Sequence, residues 1–291
     1  MAAPPILDGT HLPDHDRWSE RVVVALGQNP SAFTGPGTNT YLVGTGARRI
    51  LLDAGQGVPA YLDVLEAAME RSGCTGLQEI VLTHGHADHM GGLRSVLERF
   101  GACPVSKLPW PGVDEEHDVP LRALDDGSRV GTEGATLRAI HTPGHAPDHL
   151  CFLLEEERAL FSGDNVLGIG TTVIPATSGD LGAYLQSLGR MRESGLTRIY
   201  PAHGPVIADG AAKIDEYLAH RLERERQIVT VLEGGPARPD EIVRVVYAAY
   251  PAHLHGAAAQ SVTQHLMKLE REERAARVDE AEPLTARWRL T

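Results

Sequence analysis

The spacing of apolar and polar positions changes period several times along the chain, and each change predicts an element. Residues 21–26, 40–43 and 49–52 are short β-rich runs separated by Asn-Pro and Gly-Pro-Gly turns, which predicts antiparallel strands at the start of a sheet. Between 59 and 72 the apolar side chains Tyr61, Leu62, Leu65, Ala68 and Met69 recur at helical spacing, and residues 79–82 return to a strand. A further helix is predicted over 91–100 and a strand over 135–140. A hairpin is predicted from 150–154 and 159–162, a helix over 181–193 and a strand over 198–200. Strand and helix alternate in this way up to Gly210, which implies sheet covered by helices.

After Gly210 the pattern becomes helical. One long segment covers 211–232, Gly234-Gly235-Pro236 breaks it, and helices follow over 240–250 and 257–274, with a closing strand over 284–290. Three helices and a terminal strand can close around a small core of their own, in the manner of a helix-turn-helix module. The expected division is a catalytic domain over 1–210 and a C-terminal helical domain over 211–291.

Composition changes this picture little. The chain has 291 residues, 42% hydrophobic and 23% charged, long enough for one large domain and a small appendage. Three scattered cysteines form no framework for disulfides and suit a reducing compartment. No apolar run approaches the roughly 20 residues needed to span a bilayer, and the acidic N-terminal stretch resembles no export signal, so a cytoplasmic location is expected, or the mitochondrial matrix if the source is eukaryotic. The net charge of −12 argues against indiscriminate binding to polyanions. The acidity lies almost wholly before residue 213, so nucleic acid would more readily meet the nearly neutral tail. Its Arg221, Arg224, Arg226 and Lys268, Arg271, Arg274, Arg277 series, interleaved with Glu, read as solvated helix faces, with phosphate contact as the other reading.

The chemistry concentrates in Thr83-His84-Gly85-His86-Ala87-Asp88-His89, where a predicted strand meets a helix start and four potential ligands fall within six residues. Imidazole and carboxylate suit zinc, iron or manganese, and a loop can turn several donors to one point where a strand would send them to opposite faces. Three distant segments add His145 in His-Thr-Pro-Gly-His145, Asp164 in Phe-Ser-Gly-Asp164, and His203 in Tyr-Pro-Ala-His203-Gly-Pro. Each follows a predicted strand beside a glycine that lets the backbone approach a crowded site. The other histidines, among them His11, His15, His117, His220, His253 and His255, lack that setting and read as solvated or structural, and Cys151 reads as a small hydrophobe.

The ordered set T-H-G-H-A-D-H, H-T-P-G-H, F-S-G-D, P-A-H-G-P resembles the metal-binding signature of the metallo-β-lactamase superfamily. The resemblance implies an αββα sandwich with one metal on His84, His86 and His145, a second on Asp88, His89 and His203, and Asp164 bridging the two. Asp53 matches the acidic residue that braces the ligand loop. Two zinc ions are the implied cofactors, with other divalent transition metals suited to the same donors, and a hydroxide activated between them is the implied nucleophile.

Beyond the signature, Gly37-Thr-Asn-Thr-Tyr-Leu-Val-Gly44, Thr132-Glu-Gly-Ala-Thr-Leu-Arg138 and the tail segments Ala212-Lys-Ile214, His220-Arg221, Gln227-Ile228 and Leu266-Met-Lys-Leu-Glu270 are similar to a branch of the superfamily that includes an endoribonuclease with a winged-helix-like C-terminal domain. That similarity implies cleavage of single-stranded RNA as the first reading, with no membrane and no obligatory protein partner. A thioester or small-molecule ester hydrolase is the alternative, and a catalytically idle metal-binding protein a third, since one fold hosts many reactions. Exported β-lactamase activity is not expected without a signal segment. For phosphodiester cleavage His149 is the candidate acid for the leaving oxygen, with a structural role as its competing reading, and Asp88 acts as ligand and orienting group. Gly85 stands where that branch has a bulky aromatic, so a more open wall is expected there, and residues 175–179 resemble an insertion that alters the mouth of the site.

Overall fold

The predicted strands of the first half are apolar at nearly every position, as strands covered on both faces must be. A computed structural model, which describes residues 10–291, shows what covers them. Strands β1 (His15–Arg17), β2 (Val22–Leu26), β3 (Asn39–Val43) and β4 (Arg48–Leu52) run antiparallel. Helix α1 (Ala60–Ser72) leads to β5 (Gly76–Val81), and α2 (Ala87–Met90) and α3 (Leu93–Phe100) lead to β6 (Val105–Lys107) and β7 (Arg122–Ala123), which extend the same seven-stranded sheet in parallel pairings. The second sheet holds β8 (Arg129–Thr132), β9 (Ala135–His141), β10 (Leu150–Leu154) and β11 (Ala159–Gly163) as an antiparallel meander. Helix α4 (Leu181–Glu193) then returns the chain to β12 (Arg198–Pro201), which lies parallel to β11.

Side chains alternate across each strand, so one strand serves two cores. In β2, Val22 and Val24 enter the core between the sheets, while Val23 and Ala25 face α1 and α3. In β10, Leu150, Phe152 and Leu154 enter the same central core, while Cys151 and Leu153 face α4. The result is an αββα sandwich, the fold that the motifs implied. The turns after β5, β9, β11 and β12 meet at one edge of it.

The remaining elements are α5 (Gly210–Glu233), α6 (Pro239–Val246), α7 (His255–Arg271) and a hairpin of β13 (Ala275–Arg277) and β14 (Trp288–Leu290). They close around Ile228, Leu232, Ile242, Val243, Val262, Leu266 and Trp288 as a winged-helix domain, with the hairpin as its wing. Helix α5 serves both domains, since Ile214 and Tyr217 pack against the outer face of the second sheet. The first nine residues of the expected catalytic domain lie outside the described residues. Two helix ends differ from expectation. Helix α6 stops at Val246, four residues early, ahead of Pro251, and α7 ends at Arg271 as Glu273 takes a left-handed φ of 58° that turns the chain into β13. Among the described residues no helix is long and apolar enough to cross a membrane.

Candidate metal centre

The loop after β5 delivers most of the site. His84 leaves the strand end, His86 sits extended at the N-cap of α2, and Asp88 and His89 occupy its first turn, so one short helix start turns four side chains inward. The turn after β9 adds His145, β11 ends beside Asp164, and β12 ends beside His203. All seven sequence-predicted ligand residues meet there, in two groups whose donor atoms lie within 4.8 Å of one another: His84, His86, His145 and Asp164, then Asp88, His89 and His203.

Contacts within and between the groups show what they lack. His86 Nδ1 stands 3.0 Å from His84 Nε2 and 2.9 Å from His145 Nε2. Asp164 spans both groups, with Oδ2 3.4 Å from His145 Nε2 and Oδ1 3.3 and 3.1 Å from the Nε2 atoms of His89 and His203. Asp88 Oδ2 is 3.3 Å from the Nε2 atoms of both His89 and His203. His89 Nε2 and Asp164 Oδ1 are buried without a hydrogen bond. Ligand atoms around a tetrahedral ion with bonds of about 2.0–2.1 Å stand roughly 3.3 Å from one another, so these separations are those of ligand shells.

Protonation agrees for the first group. Burial, reinforced by the neighbouring imidazoles, pushes His84 well below its ordinary value and His86 to about 4, and burial also lowers His145, so all three offer lone pairs at neutral pH. In the second group burial opposes charge, but Asp88, Asp164 and Asp53 outweigh it at His89, and Asp164 and Asp88 raise His203 to about 9. That concentration of negative charge is itself a cation site. The donor set and its spacing fit divalent metal.

Bracing contacts orient the rings. Nδ1 of His89 lies 2.8 Å from Asp53 Oδ2, and Nδ1 of His145 donates to the Val173 carbonyl at 2.8 Å, which leaves each Nε2 for the centre. Asp53, held at a left-handed φ of 61°, also takes the Thr83 backbone N–H at 2.8 Å and its hydroxyl. Thr38, fully buried and not singled out from the sequence, donates to Asp88 Oδ2 at 3.0 Å; its place in the Gly-Thr-Asn-Thr turn was the only signal.

Two expectations are corrected. His149 is not placed to protonate a leaving group. It is fully buried, its Nε2 accepts the Asp164 backbone N–H at 3.1 Å, and its Nδ1 faces Thr142 Oγ1 at 3.0 Å, so the proton sits on the side away from the centre. Burial holds the ring well below its ordinary value, so it remains neutral. It is a positioning residue for Asp164, and Gly163, at φ 50°, is bare because a Cβ would come 2.5 Å from that Nε2. The wall at Gly85 is not open either: Trp110 and Val113 fill it, within 3.3 Å of where a Cβ would stand. Beside them Lys107, entirely buried, pairs with Asp148 at 2.6 Å and Asp114 at 2.8 Å and ties this wall to the turn that carries His149, an ion pair no sequence signal marked.

A cavity of about 400 Å³ opens from His145, Asp164 and His203. Its walls are Leu167, Ile169 and Val173 of the catalytic domain, Phe33 at its rim, and Tyr217, Arg221, Arg224, Tyr247 and Tyr250 of α5 and the α6–α7 connection. The 175–179 segment does not line it; it is tied instead to the winged-helix domain, where Gln264 of α7 donates to the Pro175 and Gly179 carbonyls at 2.7 and 2.8 Å.

The family model of the metallo-β-lactamase superfamily matches residues 33–203, which hold the whole ligand set. The chain belongs to the metallo-β-lactamase superfamily. A model of the β-lactamase-associated winged helix domain matches residues 239–288. The "Beta-lactamase-like protein 2 homolog" of Caenorhabditis elegans is 41% identical over 265 residues, covering 89% of this chain and 88% of that one. An "Atrochrysone carboxyl ACP thioesterase" of Aspergillus chevalieri is 41% identical over 264 residues, covering 88% and 82%. The fold matches that of a β-lactamase domain protein from Burkholderia ambifaria with a TM-score of 0.82 at 20% identity, over 99% of this chain and 97% of that one. Members of the superfamily are generally hydrolases, and two equally similar relatives carry different names, so the choice between substrates rests on the site.

Proposed function

We propose that the protein is a metal-dependent hydrolase that cleaves a thioester, or a comparably activated ester, of a small and largely apolar acyl group. Two zinc ions are the proposed cofactors, one held by His84, His86 and His145, the other by Asp88, His89 and His203, with Asp164 between them. When bound, such ions supply Lewis acidity at the scissile carbonyl and a water nucleophile that ionises near neutral pH. The chain's own residues do the rest. All contacts of Asp88 fall on Oδ2, from Thr38, His89 and His203, so Oδ1 is the atom left to take a hydrogen bond from the attacking water. The His149 ring fixes the Asp164 backbone and through it the position of the bridging carboxylate.

The observation that carries this reading is the bounded, apolar and aromatic cavity that begins on the metal-ligand side chains. It has the size and lining of a small-molecule site. A thiolate leaves without being protonated, because its pKa of about 8.5 makes it a good leaving group. The absence of a placed proton donor at His149 therefore does not obstruct it.

Cleavage of single-stranded RNA is the second reading. Tyr247 and Tyr250, 5.3 Å apart beside Arg224, give it a surface on which a base could stack. Against it stands the electrostatics of the tail, since strand binding calls for a track of free cations. Here Lys213 pairs with Glu216, Lys268 and Arg274 with Glu225, Arg271 with Asp180, Arg277 with Glu270 and Arg287 with Glu241, while the unpaired Arg221 and Arg224 are buried in the cavity wall and form no track along the surface. The test offers metal-loaded protein a panel of acyl thioesters and labelled single-stranded RNA, beside an Asp88→Ala, His89→Ala double variant. Thioester hydrolysis lost in the variant is expected. RNA cut with every thioester intact reverses the order of the two readings.

A further inference from the structure

Two arginines stand in the cavity wall without a carboxylate partner. Arg221 and Arg224 lie one turn apart on α5 and read from the sequence as a solvated helix face. Both are instead buried, at 3% and 7% exposure, and both line the cavity. Among the described residues no carboxylate lies within ion-pair distance of either one, although eight of the other ten Lys and Arg of the tail have such a partner. A buried guanidinium without an anion carries a desolvation cost; Arg49 is buried and unpaired too, but it bonds the Gly46 and Ser72 carbonyls away from the cavity, whereas Arg221 and Arg224 bear theirs in a cavity wall.

Their hydrogen bonds are also incomplete. Arg221 donates from Nη2 to the Thr172 carbonyl at 2.6 Å and lies 5.3 Å over the Tyr184 ring, while its Nε has no acceptor. Arg224 stacks 4.1 Å over Tyr247, donates from Nη1 to Gln227 and to the Val246 carbonyl and reaches His220 Nε2 and the Tyr250 hydroxyl from Nη2 only at 3.5 Å, and its Nε is likewise buried without an acceptor. The stacked rings hold each guanidinium flat and fixed while contributing no negative charge of their own.

We propose that Arg221 and Arg224 form an anion-recognition subsite in the cavity, so that the substrate carries a carboxylate or phosphate outside the bond that is cleaved. The helix gives the spacing. Arg221 is the nearer to the metal-ligand edge, since the Thr172 whose carbonyl it bonds also meets His145 Nδ1 at 3.2 Å, and Arg224 lies one turn, or about 4.5 Å, further along α5. Planar guanidiniums match carboxylate and phosphate oxygens, and the apolar remainder of the wall makes the site select for molecules charged at one end. The subsite rests on the hydrolase reading only for what the anion is attached to.

Benzoate and its neutral isostere benzamide, titrated calorimetrically into the metal-loaded holoprotein, test the subsite without any turnover. Benzoate is expected to bind at least tenfold tighter, a ratio that falls to near one in Arg221→Gln and in Arg224→Gln and is largely kept in Arg224→Lys. Metal content and melting temperature, followed in parallel, certify that each variant is folded, and Arg224→Lys decides the matter if a glutamine variant is not. A benzoate preference that survives Arg224→Gln means that the anion sits on the metal ions and overturns the proposal, as does equal binding of the two probes by the wild type. Turnover then locates the anion. Preference for adipoyl over hexanoyl N-acetylcysteamine thioester places it on the acyl part, and preference for hexanoyl coenzyme A over hexanoyl N-acetylcysteamine places it on the carrier. Neither preference also overturns the proposal, whereas no thioester hydrolysis at all defeats the hydrolase reading and leaves the benzoate ratio to judge the subsite alone.

Discussion

Two clusters of histidine and carboxylate lie in this protein, and they are built on opposite terms. At the sheet edge, ring nitrogens of His84, His86 and His145 face one another at about 3 Å, and Asp164 Oδ1 and His89 Nε2 are buried with no hydrogen bond. In the winged-helix domain, Glu225 between α5 and α7 is paired through both oxygens, with Lys268 at 2.8 Å and Arg274 at 2.7 Å, and His265 stands 3.8 Å away. In the first cluster the ring nitrogens and carboxylates turn on a shared centre, while in the second the Glu225 oxygens meet two cations and the His265 ring stands apart, unbonded. Ligand atoms gathered on one centre need a guest, while a carboxylate whose charge is cancelled by cations is a clasp that holds two helices together.

Breaking each cluster should therefore give different losses. The largest effect is expected from Asp164→Ala, which removes the carboxylate common to both ligand groups. Elemental analysis should show metal uptake falling sharply, and hydrolysis should drop by more than the roughly 100-fold that loss of a bracing residue costs. A variant that retains its full metal content would break the comparison at once. Next come the braces. Asp53→Ala frees the His89 ring and Thr38→Ala frees Asp88, each with an expected 10- to 100-fold loss of metal affinity or activity. His149→Ala belongs in this class, and its loss should be recovered at high metal concentration, which a missing proton donor would not allow.

The clasp should behave in the opposite way. Glu225→Gln strips the counter-charge from Lys268 and Arg274, and about 1–3 kcal/mol of stability is expected to go with it, because Glu225 is largely buried although Arg274 is half-exposed. Urea unfolding measures that loss, and metal content measured on the same samples should not change. A drop in metal uptake would show that the two clusters are coupled through α5.

What could be foreseen of this arrangement follows the same division. The ligand set was legible because metal chemistry demands particular residues beside glycine at strand ends, and His84 to His203 meet those demands in the chain itself. The sandwich was legible because β2, β4 and β10 are apolar on both faces. The short strands β1, β6, β7, β8 and β13 carry too few residues to show a period. Arg221, Arg224 and His149 were misjudged for a single reason: their roles depend on which face of an element meets another domain or turn. Helical spacing places Arg221 and Arg224 on one face of α5 but does not say that the α6–α7 connection covers it. His149 has the sequence setting of a catalytic residue, and only the Asp164 backbone N–H aimed at its Nε2 shows that it faces the other way.

The finest test uses pH on the clasp alone. Burial pushes His265 down to about 4 and His220 also to about 4, while His265, Lys268 and Arg274 hold the Glu225 carboxyl well below the usual carboxylate range. A depressed pKa means that the unfolded chain binds the proton first, so each group contributes stability that is full above its unfolded value and is lost as pH falls toward its folded one. For the histidines that window runs from about 6.5 down to about 4; Glu225 adds its loss only below its ordinary value near 4.5. His265→Gln removes one titrating ring, which has no hydrogen-bond partner on either nitrogen. Metal-free protein must be used, since the ligand histidines titrate in the same range. On acidification from pH 7.5 to 5.5 the variant should gain on the wild type by about 1 kcal/mol in unfolding free energy, roughly the cost of charging one buried imidazole a unit below its unfolded pKa. A stability difference that stays constant across that interval would mean that the fold leaves His265 with its unfolded affinity for protons, and one that reverses, with the wild type gaining on acidification, would mean that Glu225 draws the ring into a protonated pair; either outcome overturns the assignment of a neutral buried ring.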